Sequence, residues 1–350
     1  MVKSGHDVTV ICANDPDSRN IKTLDGIKIK RLNYIGKIAG TNITPTLPVE
    51  IFKEDFDIIH THLPTPWSAD WSAIISKIKN KPMVLTYHND TVGSSIAGYV
   101  ARFYNLTSLK LTLSVAGKII LTSPKYLEQS PYLKRYKNKI EIIPCGVDIN
   151  KFKPIKMESK NNGQYRIFFL SILNEFHRYK GLDYLFKALK IVKKDINDVK
   201  LIVGGKGELF DYYKEMVNSI GLGNNVEFVG FIPDDELVRY FNNCDVFVLP
   251  STSSEQEGFG IVLLEALACE KPVVSTEIVG VAEDIKKTNS GVIVKPKDSE
   301  ALANAITAIL KDKDAGNQMG KNGRKLVEEK YTWKRVAKMT EEVYCEVLSN

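Results

Sequence analysis

Short runs of β-branched and aromatic residues recur along the chain at intervals wide enough to hold a helix between them. In the first half they are Asp7–Cys12, Asp57–His60, Pro82–Tyr87, Lys118–Ser123 and Glu141–Ile143. In the second they are Arg166–Leu170, Val199–Val203, Val226–Val229, Asp245–Leu249, Pro272–Ser275 and Gly291–Val294. Runs of this kind predict strands, and their spacing predicts parallel sheets joined by helical crossovers. After Gly181 the period changes: Leu182, Leu185, Phe186 and Leu189 fall at i, i+3, i+4 and i+7 and predict an amphipathic helix packed on a sheet. Residues 150–164 are rich in Lys and Asn and poor in large apolar side chains, which predicts a linker. Two Rossmann-like α/β domains follow, 1–149 and 165–330, with 331–350 expected as a C-terminal helix packing back on the first domain.

At 350 residues and 43% hydrophobic the chain can bury two cores. Its five cysteines are scattered, with neither a C-x-x-C metal spacing nor a disulfide framework, and point to a reducing, cytoplasmic setting. No apolar run reaches the roughly 18 to 20 residues that span a bilayer, so membrane contact is expected at most as peripheral. The net charge of +6 is unevenly placed. Residues 1–150 hold 19 Lys and Arg against 13 Asp and Glu, while the remaining 29 and 29 cancel. The excess gathers at Arg102, Lys110, Lys118, Lys125, Lys134, Arg135, Lys137 and Lys139, among which Glu128 is the one carboxylate. That stretch is either a solvated basic face or a surface for an anionic partner, an anionic membrane included. Nucleic acid is not expected as a partner.

The segment Ser254–Ala268 carries the most chemistry. It follows the strand ending at Leu249 and reads loop, glycine-flanked turn, helix. Gly258 and Gly260 let the backbone approach a ligand, and the free N–H groups at the start of the helix make an anion site that suits a pyrophosphate. In the apolar stretch Ile261–Ala268 the one polar residue is Glu265, a carboxylate that needs partners, either ribose hydroxyls or protein donors. Glu257 stands eight positions earlier, roughly 12 Å at a helical rise, which is comparable to the span from a ribose to a sugar across a pyrophosphate.

A second cluster, Asn174–Gly181, lies at the carboxyl end of the strand Arg166–Leu170, where open parallel sheets bind ligands. Lys180 and Arg178 there can neutralise a leaving diphosphate, or can be surface charges. In the first half His88 ends the strand Pro82–Tyr87, placed to handle a hydroxyl proton or to sit hydrogen-bonded in a core. His60 and His62 share one face of an extended strand, yet no Cys, Asp or Glu cluster completes a metal-ligand set, and a structural role is expected.

Taken together these segments resemble glycosyltransferase family 4, over nearly the whole chain. Gly5–Ile11, Asp57–His62 and Thr86–His88 are similar to strands of its first domain. Pro144–Phe152 is similar to its P-N-G-V-D-x-x-x-F segment. Tyr179–Gly181, Val229–Ile232 and Glu257–Gly260 through Glu265 are similar to its donor motifs, the last being the E-x7-E signature. The resemblance implies the GT-B fold, two Rossmann-like domains facing a cleft. It also implies transfer of a sugar from a nucleotide sugar to a hydroxyl acceptor (a glycan, a lipid-linked group or a small molecule) with retention of anomeric configuration. Glu265 would hold the ribose and Glu257 would lie against the sugar. The backbone at Gly258, Phe259, Gly260 and Ile261 would hold the distal phosphate, and Gly230, Phe231 and Ile232 would flank the base. Lys180, helped by Arg178, would meet the diphosphate, and His88 would sit by the sugar. No cofactor or metal is implied, since no Asp-x-Asp clasp is evident. Where many members carry an arginine ahead of the Lys-Gly pair, Asn174 stands here.

A same-fold epimerase or hydrolase would share the donor motifs, as would a nucleotide-sugar-binding module without catalysis. Met1–Gly5 looks like the last turn of the family's first helix with its glycine cap, so the family's first strand and glycine-rich turn are expected to lie outside this chain. The strand edges around Val8–Ile11 and Ile58–His60 are then expected to be unpaired or forced together, with donor binding retained and transfer weakened.

Overall fold

The computed structural model describes residues 1–15, 23–38, 41–91, 95–156 and 163–349. The chain divides into two compact units, Met1–Pro144 with Ala337–Asn350, and Cys145–Val336.

The first unit holds β1 (Thr9–Ala13), β2 (Thr23–Leu24), β3 (Ile27–Leu32), β4 (Gly36–Ile38), β5 (Thr41–Ile43), β6 (Ile59–Leu63), β7 (Met83–Tyr87), β8 (Lys118–Leu121) and β9 (Ile140–Ile142). They form a β1-β3-β2 sheet, a β4-β5 hairpin and a parallel sheet ordered β6-β7-β8-β9. The apolar run of β7 is buried at every position, as a strand covered on both faces must be. By contrast β1 and β6 end their separate sheets, each with a ladder on one side among the described residues, and Val10 of β1 is 41% exposed. The edges around Val8–Ile11 and Ile58–His60 are therefore left unpaired rather than forced together. Strand β3 is not among the runs read from the sequence, because Ile27 and Ile29 alternate with Lys28 and Lys30 instead of clustering.

The second unit is built on one continuous parallel sheet of β10 (Tyr165–Leu170), β11 (Val199–Gly204), β12 (Val226–Gly230), β13 (Val246–Leu249), β14 (Val273–Thr276) and β15 (Gly291–Val294). Its order is β12-β11-β10-β13-β14-β15. The chain builds outward from β10 in one direction, then returns to add β13 on its other side. The switch point of the sheet, where open α/β sheets bind ligands, therefore lies between β10 and β13. Both faces of the sheet are covered: Leu182, Leu185, Phe186 and Leu189 of the helix Leu182–Asp195 are buried against it, the face their period predicts.

Two boundaries differ from those read in the sequence. The units divide after Pro144, not at 149, and residues 150–156 pack on the second unit. Phe152 is buried in its core, Lys151 pairs with Asp234, and the Ile155 N–H donates to Asn242 Oδ1 at 2.9 Å. Arg324 fastens the segment by donating to the carbonyls of Phe152 and Ala268 at 2.9 and 2.8 Å. Residues 157–162 of the expected linker lie outside the described residues. The last helix, Trp333–Ser349, starts in the second unit, and its residues from Ala337 onward belong to the first. There Tyr344 meets His60 and Glu346 pairs with Lys118.

Candidate functional site

The loops after β10 and β13 bring together Lys180, Ser251 and Glu257. Glu257 is buried, 3% exposed, and both its oxygens accept from Lys180 Nζ, at 3.2 and 2.9 Å. Ser251 also donates to it. A carboxylate so deep in the protein is tolerable only with charged and hydroxyl partners. Burial opposes the Lys180 charge, but the Glu257 carboxylate and the Tyr179 oxygen outweigh it and hold the pKa above the usual lysine value. The cation also lies 4.9 Å from the centre of the Tyr179 ring.

The backbone fixes this arrangement. The Thr252 N–H donates to the Tyr179 carbonyl at 2.7 Å, and Ser275 and Thr276 of β14 donate through their hydroxyls to the carbonyls of Leu249 and Ser251. Gly181 has φ +79°, and a Cβ there would stand 2.1 Å from the Pro250 carbonyl oxygen, so this close approach of the two loops admits only glycine.

The chain then turns through Gly258, Phe259 and Gly260 into the helix Ile261–Ala268. Gly260 is its N-cap, at φ +86°. Phe259 is buried against Tyr331. At the first helical position Ile261 is 43% exposed, whereas Phe259 and Gly260 before it are buried. One turn in, Glu265 is half-buried, and its carboxylate accepts no hydrogen bond among the described residues. Burial raises its pKa to about 7, with Lys151 lowering it and Asp234 raising it to smaller extents.

The remaining predicted residues fall in different places. Gly230 (φ +73°) ends β12, the Phe231 ring after it is 67% exposed, and Ile232 is turned into the core. Arg178 is not directed at Lys180: it is held by Glu175 at 3.2 Å and Asp183 at 3.7 Å and lies over the Tyr212 ring. Asn174, standing where the resemblance implies an arginine, instead caps the turn Glu175–Lys180 by accepting from the His177 N–H at 3.0 Å, and its Oδ1 lies 2.7 Å from His177 Nδ1. His177 and Ser251 are site residues that the motifs do not mark. The N-x-x-H spacing of a side-chain cap is the signal for His177. Burial and then the Lys180 charge lower the His177 pKa, with Glu257 partly offsetting them.

In the first unit His88 leaves the end of β7 and joins a stack of rings. His88 Nε2 lies 3.1 Å from His62 Nδ1, and the rings of His60 and His62 are stacked at 4.8 Å. Both His60 nitrogens are used, Nδ1 by Tyr344 Oη at 2.5 Å and Nε2 by Thr86 Oγ1 at 2.7 Å, so its role is structural. Burial, then repulsion from its neighbours, lowers His60 to about 3 and His88 to about 4, which keeps both rings neutral at pH 7. Among the described residues no group of three or more His, Cys, Asp or Glu could hold a metal ion, and no helix is long and apolar enough to cross a membrane.

Comparison with known proteins identifies the family and the fold. Residues 152–326 match the family described as Glycosyl transferases group 1, and residues 1–151 match Glycosyltransferase Family 4. An uncharacterized glycosyltransferase of Methanocaldococcus jannaschii is 26% identical over 98% of this chain and 90% of that protein. The O-antigen chain mannosyltransferase C of Escherichia coli is 30% identical over 80% of this chain and 72% of that protein. Among solved structures, sucrose-phosphate synthase from Thermosynechococcus elongatus superposes with a TM-score of 0.77 at 25% identity, covering 99% of this chain and 90% of that one. With both halves matched and the two-domain α/β GT-B fold in place, the chain belongs to the group 1, family 4 glycosyltransferases.

Proposed function

We propose that this protein transfers a sugar from a nucleotide-sugar donor to a hydroxyl acceptor, with retention of anomeric configuration, in building a polysaccharide or glycolipid. The observation that carries the proposal is Glu265. It is a carboxylate with a raised pKa and no hydrogen-bond donor among the described residues, one helical turn beyond a glycine-capped N-terminus at the sheet's switch point. Ribose hydroxyls supply the donors it lacks, and the diphosphate then falls on the amides that follow Gly258 and Gly260. The exposed Phe231 ring is available to stack on the base. The name of the E. coli mannosyltransferase supports a polymeric or lipid-linked acceptor, and the basic excess of the first unit supports an anionic membrane surface as its location.

Each residue's work follows from its surroundings. Lys180, kept cationic, meets charge developing on the leaving diphosphate, and the helix amides meet the rest, as an oxyanion hole does. No metal is required in this reading. Glu257, buried and bonded to Lys180 and Ser251, holds the cation in place beside the donor sugar. His88, neutral at pH 7, can accept or donate a hydroxyl proton.

The test is calorimetry of a panel of nucleoside diphosphates against the wild type and Glu265→Ala, followed by NMR of the product's anomeric proton. Tight binding of one diphosphate, lost in the variant, and a retained anomer are expected. Donor hydrolysed or epimerised without an acceptor would replace transfer by another reaction, and equal binding by Glu265→Ala would remove the ribose assignment.

A further inference from the structure

We propose that the helices Ser95–Leu106 and Ser108–Val115 of the first unit form a docking face for an anionic lipid bilayer. The proposal deepens the reading of that unit as the side meeting an anionic partner. It is independent of the donor site.

The two helices bury one side: Ala101, Asn105, Leu109 and Leu113 are buried. Their other side is apolar where water should be. Tyr99 is 78% exposed and Phe103 71%, and Val100, Leu106 and Leu111 are also exposed. Contiguous exposed apolar side chains on a soluble protein mark a surface that is covered in use. Interleaved with them are the exposed Arg102 and Lys110. Between Asp90 and Glu128 the chain contains no carboxylate at all. Asp70, which underlies these helices, faces inward and accepts from Thr112 and Tyr104 at 2.9 and 3.3 Å.

A second basic segment abuts the first. The Tyr136 hydroxyl donates to the Lys110 carbonyl at 3.2 Å, which carries the exposed Lys134, Arg135 and Lys137 alongside. These three, with Arg102 and Lys110, make no ion pair among the described residues. The basic stretch read from the sequence is thereby narrowed. Lys118 is paired with Glu141 and Glu346, and Lys139 donates to the carbonyls of Ser114 and Ala116, so neither is part of the face.

Charge complementarity decides the occupant. A soluble polyanion would satisfy the cations and leave Tyr99, Phe103 and Leu111 in water. A neutral apolar protein would do the reverse. A bilayer with anionic headgroups satisfies both, with rings and aliphatic chains at the acyl boundary and cations among the lipid phosphates.

The test uses the full chain in co-sedimentation with vesicles of phosphatidylcholine alone and of phosphatidylcholine mixed with phosphatidylglycerol. Binding to the mixed vesicles only is expected, weakened by salt. Lys110→Glu with Arg135→Glu should lower it by at least about tenfold. Phe103→Ser with Leu111→Ser should lower it as well, with circular dichroism unchanged. Lys190→Glu, an exposed charge reversal in the second unit, should leave it as it is. Equal binding to neutral vesicles, no binding at low salt, or binding that survives both double variants would overturn the proposal. Self-association abolished by Phe103→Ser without any vesicle binding would overturn it in favour of a second copy as the occupant. Nucleoside diphosphate affinity, measured on the same samples, separates failure of this face from failure of the donor site.

Discussion

The two units are made from the same βα elements and differ in what holds them together. In the second, six parallel strands make one sheet, β10 and β13 lie at its centre, and the polar groups at their ends are charged and mutually paired. In the first, the strands are divided among separate sheets, and the polar groups gathered at the ends of β6 and β7 are neutral histidine rings. A continuous sheet offers a rigid rim on which a buried Lys–Glu pair can be kept. Where β1 and β6 each carry a ladder on one side only among the described residues, the frame is softer, and uncharged rings stacked on one another demand less of it.

Hydrogen exchange would break this comparison most directly. Amides of β13, flanked by β10 and β14 and wholly buried, should exchange only on global opening of their unit. Those of β1, which is half-exposed at an edge, should exchange on local opening. A ratio on the order of 10³ or more in protection is expected. Similar protection in β1 and β13 would mean that the split in the first unit's sheets has no energetic consequence.

The charged pair comes next in size. Lys180→Ala leaves Glu257 buried with Ser251 but without its cation, which should cost the second unit about 3 kcal/mol in urea unfolding and abolish transfer. Lys180→Met with Glu257→Gln removes both charges and should recover most of the stability while transfer stays lost. If Lys180→Ala unfolds like the wild type, the pair is not what holds the two loops together.

How much of the molecule is legible in the sequence depends on how each residue announces itself. The eleven strands read as β-branched runs are present, and the clearest of them, β7 and β13, are buried at every position and so have no charged residue to break the run. Strand β3 is illegible for the opposite reason, its Lys28 and Lys30 alternating with Ile27 and Ile29 and finding partners in Glu50 and Glu54. Glu257, Gly260 and Glu265 are legible because a carboxylate or a glycine set in an apolar stretch is costly unless a partner or a turn requires it. The orientation of Arg178 is not, because Glu175, Asp183 and Tyr212 compete for it through contacts that no spacing encodes. The role of residues 150–156 is hidden as well. Their composition suits a tether, and it is Arg324, far along the chain, that fastens them.

A smaller effect should appear at Glu265. On the proposed ribose assignment, Glu265→Ala should weaken nucleoside diphosphate binding by about 2 kcal/mol, the loss of charged hydrogen bonds. The carboxylate's pKa of about 7 adds a signature: wild-type affinity should rise as pH increases through 7, and Glu265→Gln should flatten that rise. A profile unchanged by the Gln variant would assign the pH dependence to another group.

The smallest effect tests the difference in charge between the units, because acid acts on Glu265 and on His60 and His88 with opposite signs. Glu265 has a folded-state pKa of about 7 against an ordinary 4.5, so the folded second unit binds its proton more tightly than the unfolded chain does. That contribution makes the unit more stable as pH falls from 7 toward 4.5 and adds nothing further below. His60 and His88 are lowered to about 3 and about 4 from 6.5, so the unfolded first unit binds protons more tightly, and its stability, full above 6.5, declines as pH falls toward 4. The three tryptophans make the units separately visible: Trp67 and Trp71 lie in the first, Trp333 in the second. Urea midpoints from fluorescence of Trp333→Phe should fall between pH 6.5 and 5, and His88→Gln should reduce the fall. Midpoints from Trp67→Phe with Trp71→Phe should fall less or rise over the same range, and Glu265→Gln should remove that difference. Parallel curves for the two reporters, unaltered by either variant, would show that buried neutral rings and a buried acid do not distinguish the two units.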